Sequence, residues 1–88
     1  MATEATIKQQ IEKSVGSKYS EWKIGITNDP SQKRAKMGNP LSWLLWQADS
    51  PRTAQNVELY FLRKGMQSGG KAPQSSDYVY ILLVQDSI

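Results

Sequence analysis

The sequence contains neither cysteine nor histidine. The first absence excludes disulfides, thiolate zinc centres and cysteine nucleophiles. The second removes the commonest metal ligand and the usual general base near neutral pH. Any chemistry must therefore draw on carboxylates, tyrosines, lysines, arginines or hydroxyls. Long apolar runs are missing too: no stretch reaches the roughly 18 consecutive apolar residues of a membrane span, so no membrane partner is expected. The opening "MATEATIKQQ" has neither a basic segment nor an apolar one after it. No signal peptide is therefore expected, and the cytoplasm is the expected location.

At 88 residues, the chain is expected to form one domain over residues 1–88. A domain of this size buries only about 60% of the surface of its unfolded chain, so its core is thin. The net charge is +3 and unevenly spread. Residues 1–44 carry seven Lys and Arg against four Asp and Glu, while residues 45–88 carry four against four. A localised cationic excess suits phosphate binding, and it equally suits an ordinary basic surface.

Along the chain, Ile7, Ile11 and Val15 recur every four residues and predict a helix over Thr6–Val15, capped by Thr6 with Gln9 and stopped at Gly16. Trp22 to Thr27 alternates, with Trp22, Ile24 and Ile26 on one face and Lys23, Gly25 and Thr27 on the other, as in a half-buried strand. Asp29 then caps a short helix with Pro30 in its first turn, and Gly38-Asn39-Pro40 ends it. Leu41–Ala48 reads as a second strand. Its run Trp43-Leu44-Leu45-Trp46 leaves neither face polar, which predicts cover on both sides. A third helix is expected from Pro51 to about Lys64, followed by a loop of turn-formers, "GMQSGGKAPQSSD". "YVYILLV", Tyr78–Val84, is apolar on both faces and suits a central strand beside "WKIGIT". Residues 1–21 form an N-terminal helix and loop, and residues 22–84 form the core. The fold class is α+β, with a small three-stranded, mainly antiparallel sheet flanked by three helices.

Glu58 is the most informative single residue. With Ala54 at zero on a helical wheel, it falls at about 40°, inside the arc of Val57, Phe61 and Leu62. A carboxylate there loses hydration and needs a partner. The options are an ion pair with Lys23 or Arg34, a side chain that reaches out at the domain edge, or a metal or catalytic role. Lys33, Arg34 and Lys36 follow a helix start, where cations and free amides could receive a phosphate; the alternative is a solvated helix face. Gly25, inside a strand, allows close approach by a ligand or by neighbouring protein.

Together these residues resemble the GIY-YIG nuclease domain. Lys23-Ile24-Gly25-Ile26-Thr27-Asn28-Asp29 is similar to that family's second strand and turn, and Arg34 stands near its helical arginine. Ala54 and Glu58 resemble the later helix, whose glutamate binds a divalent metal. Tyr78-Val79-Tyr80-Ile81-Leu82 resembles the first-strand element. The order is circularly permuted, because the first-strand element comes last. Lys23 stands where the family has a tyrosine, and Arg34 lies one residue later than usual. The resemblance implies phosphodiester hydrolysis of nucleic acid. Glu58 would hold Mg²⁺ or Mn²⁺, Arg34 or Lys33 would neutralise phosphoryl charge, and Tyr80 and Lys23 would activate water. Two alternatives keep the scaffold but not the chemistry. One is a non-catalytic nucleic-acid-binding module. The other is a small protein-interaction or oligomerisation domain using the Trp43/Trp46 strand or the first helix.

Overall fold

The computed structural model describes residues 1–86. The first helix, α1 (Glu4–Val15), starts two residues earlier than the sequence suggests. Its cap is Thr3, whose hydroxyl accepts from the Thr6 N–H at 3.3 Å, not Thr6 itself. Glu4 and Lys8 then form an i,i+4 ion pair at 2.7 Å, with the acid N-terminal to the base as the helix dipole favours. β1 (Trp22–Thr27) and α2 (Pro30–Lys36) form as expected, with Asp29 accepting from the Gln32 N–H at 3.2 Å. β2 is shorter than expected, covering Leu44–Gln47 only. α3 (Pro51–Lys64) is capped by Ser50, whose hydroxyl accepts from the Thr53 N–H at 3.1 Å.

The expected loop after α3 contains a fourth strand, β3 (Gln67–Ser68). Gly65 reverses the chain at φ 113°, Met66 drops into the core, and the next two residues pair in parallel with Lys23 and Ile24. β4 (Tyr78–Leu83) completes a sheet in the order β2-β4-β1-β3. The sheet is therefore four-stranded and mixed rather than three-stranded. Its antiparallel part, β2-β4-β1, has "YVYILL" in the centre beside "WKIGIT".

The two sheet faces are dressed differently. Ile24, Ile26, Val79 and Ile81 meet Ile7, Ile11 and Val15 of α1 and Ala54, Val57 and Phe61 of α3 in one apolar cluster. At about 25 cal/mol per Å², this face is the main source of stabilisation in so small a domain. The opposite face carries Gly25 and Tyr80, directly paired across β1 and β4, and is roofed by Trp43 and the loop after β3. The apolar run of β2 predicts cover on both sides. It lies at the sheet edge instead, with Leu44 38% and Leu45 39% exposed. The two tryptophans divide between the faces: Trp43 stacks on Tyr80, while the Trp46 Nε1–H donates to Gln10 Oε1 of α1 at 2.6 Å.

Candidate functional site

Tyr80 is the anchor of the second face. Its ring is stacked on Trp43, with centroids 4.6 Å apart and planes 10° from parallel. Its hydroxyl donates to the Gly69 carbonyl at 3.3 Å. The ring end rests on bare backbone at two points. A Cβ added at Gly25 or at Gly69 would collide with the Tyr80 hydroxyl. Gly25 is thus the floor of a tyrosine slot, the protein-side version of the close approach its sequence position suggested. Tyr80 is fully enclosed, so its hydroxyl meets a carbonyl rather than water. Burial, with the nearby negative charge of Glu58 adding to it, pushes the Tyr80 phenol well above its ordinary value of 10.0.

Glu58 sits half-buried on α3 beside the buried Val57. Burial raises its carboxyl above the ordinary carboxylate range. Among the described residues no ion pair reaches it, so the expected bridges to Lys23 or Arg34 do not form. Nor do the described residues contain a group of three or more acidic side chains that could hold a metal. Lys23 shares the face of Gly25 and Tyr80, two residues along β1, opposite Leu82 on β4 and Gln67 on β3.

The basic trio splits. Lys33 and Lys36 are three residues apart, on one helix face, and both line a cleft of about 190 Å³. Lys71, from the loop after β3, closes the cleft from the other side. Lys33 Nζ comes within 3.8 Å of where a Cβ on Gly70 would sit, next to the Gly69 that receives the Tyr80 hydroxyl. Arg34, about 100° around the helix, faces elsewhere. Its Nη2 donates to the Pro40 carbonyl at 3.4 Å, and it lines a separate hollow with Trp43. The free helix amides expected beside the cations are also partly used, because Asp29 already caps them. Glu58 is near enough to Tyr80 to act on its phenol through charge. Trp43 stands on the Tyr80 ring and lines the hollow that holds Arg34.

Lys71 is the residue that sequence reasoning did not select. It lies in "SGGKAP", which reads as loop, and no local spacing ties it to Lys33. The short pairing of β3 with β1 and the bond from the Tyr80 hydroxyl to the Gly69 carbonyl hold that loop, and Lys71 with it, beside α2. Compared with models of known protein families, with curated proteins and with solved structures, the chain finds no match.

Proposed function

We propose that this chain is a GIY-YIG-like domain that binds nucleic acid through phosphates, as a module without hydrolytic activity. One observation carries the binding reading: Lys33, Lys36 and Lys71 converge from two separate segments on one cleft. The acidic side chain there, Asp29, is engaged as the α2 cap. At about 30 Å³ per liquid water, the cleft has room for roughly six waters, enough for a phosphate group. The resemblance to the family is supported by the pairing of β4 beside β1 with Gly25 opposite Tyr80. An order in which the first-strand element comes last is compatible with that pairing, because the ladder needs the two strands adjacent rather than consecutive. In this reading the chain works in the cytoplasm.

The catalytic version needs Glu58 to hold Mg²⁺ or Mn²⁺ and Tyr80 to reach water. A lone carboxylate such as Glu58 suffices for a metal that keeps most of its waters, but the enclosed Tyr80 hydroxyl, which donates to the Gly69 carbonyl, is poorly placed to activate water. Fluorescence anisotropy with labelled single-stranded and duplex DNA, over roughly 50 to 200 mM salt, tests the binding. Two or three phosphate contacts give a log–log slope of about −2 to −3. Alanine at Lys33, Lys36 and Lys71 together is expected to flatten that slope. A salt-independent affinity in the unmodified chain would rule the phosphate site out. Metal-dependent DNA cleavage that is lost in Glu58→Ala would instead establish the enzyme.

A further inference from the structure

The sheet's two edges are unlike. β3 is two residues long, whereas β2 runs for four and carries exposed leucines. The ladder register fixes which β2 backbone groups point outward. The Ala48 N–H donates to the Asp77 carbonyl at 2.7 Å, and the Leu83 N–H donates to the Ser42 hydroxyl at 2.8 Å. By the two-residue repeat of an antiparallel pair, Leu44 and Trp46 turn their N–H and C=O toward β4, and Leu45 and Gln47 turn theirs away. The Gln47 carbonyl accepts from the Ala2 N–H at 2.8 Å, and Ala2 forms a single parallel bridge to Ala48. Among the described residues no strand continues that cover along Leu45.

Two hollows flank this edge, one on each face. The first, about 360 Å³, lies between α1 and β2 and holds Lys13. The second, about 310 Å³, lies between α2 and β2 and holds Arg34. Leu44 and Leu45 line both, and neither is lined by a carboxylate. Successive side chains of a strand point to opposite faces, so an added strand would send neighbouring residues into the two hollows. Pockets for alternate side chains beside a free sheet edge are the elements of recognition by strand addition.

We propose that the β2 edge captures an extended peptide, which pairs its backbone with Leu45 and offers two consecutive acidic side chains, one to Lys13 and one to Arg34, between apolar neighbours. A second copy of this chain suits the edge less well. Two-fold pairing of β2 on β2 would bring both Lys13 and both Arg34 side chains to one seam with no compensating carboxylate.

The test is anisotropy with a fluorescein-labelled peptide, Thr-Val-Glu-Glu-Val-Thr, against Thr-Val-Lys-Lys-Val-Thr and a backbone N-methylated form of the first. The full chain is expected to bind only the unmethylated glutamate peptide. Lys13→Glu with Arg34→Glu should reverse the preference, each change shifting affinity on the order of tenfold. Because that variant must gain binding to the lysine peptide, misfolding cannot imitate the result. Leu45→Pro, which removes an outward N–H at an edge, should fold and lose the peptide. Alanine at Lys33, Lys36 and Lys71 should leave peptide binding intact, which separates this edge from the phosphate cleft. Absence of binding, equal binding of the glutamate and lysine peptides, or indifference to N-methylation would overturn the proposal. So would a dimer in sedimentation that Leu45→Pro dissociates, since the occupant would then be a second copy.

Discussion

Tyr80 and Gly25 are best understood as one unit. The tyrosine fills its slot only because β1 has no side chain opposite it, and the slot closes only because Gly69 and Trp43 complete the walls. Gly25→Ala should therefore destabilise the protein by about 1–3 kcal/mol, the range for overpacking. In chemical denaturation, Gly25→Ala combined with Tyr80→Leu should cost clearly less than the two single losses added together. Strict additivity would mean that the two residues do not share the slot. Glu58 acts on the same unit through charge. Its folded-state carboxyl is raised above 4.5, so its stabilising contribution is complete below about pH 4.5 and is lost as pH rises through the folded value. Glu58→Gln should then gain stability relative to the unmodified chain as pH rises from 4 to neutrality, read from denaturation midpoints across about pH 3–8. A constant difference over that window would contradict the buried carboxylate.

At the scale of elements, α2 shows how one short helix serves two surfaces. Its i,i+3 lysines line the cleft shared with Lys71 and its arginine faces the sheet edge, a division made by 100° of rotation per residue. Asp29 both starts the helix and places a negative charge in the cleft. The two roles separate by substitution. Asp29→Asn keeps a capping side chain and removes the charge, so DNA affinity should rise by about two- to threefold with little change in stability. Asp29→Ala should lose roughly 1 kcal/mol of stability with the cap. Anisotropy titrations and thermal melts of the two variants check this, and weaker DNA binding by the asparagine variant would argue against the cleft.

At the scale of the molecule, α1 is not an appendage to a core of residues 22–84. Ile7 and Ile11 are fully buried, and Val15 nearly so, in the same cluster as β1, β4 and α3. Large-to-small changes at such positions cost about 2–5 kcal/mol each, against a total near 0.1 kcal/mol per residue for an ordinary domain. A chain starting at residue 17 is therefore expected to lose cooperative unfolding in calorimetry, although it retains every strand of the sheet. A sharp two-state transition in that fragment would show that the sheet and α3 suffice.

The local elements follow from the sequence because their causes are local. Period-two alternation gives β1, Asp29-Pro30 and Ser50-Pro51 start α2 and α3, and the doubly apolar "YVYILL" marks the central strand. The fold class and the antiparallel pairing of β4 with β1 rest on the same signals. Other features have no local cause. Leu44 to Trp46 reads as buried on both faces, yet hydrophobicity cannot distinguish a central strand from an edge strand whose leucines remain partly exposed. β3 is too short to leave a pattern and exists because Met66 anchors the turn that lays it beside β1. The candidate site divides the same way. Glu58 is visible as a carboxylate on an apolar stripe, and Lys33 with Lys36 as a cationic helix face. The exclusion of Arg34 from their cleft, the arrival of Lys71 and the enclosure of Tyr80 depend on contacts between distant segments. Sequence alone determined the three α-helices and the three longer strands, because propensity and capping act within a few residues. Only the tertiary structure decided which charges share a surface, because that depends on how those segments pack.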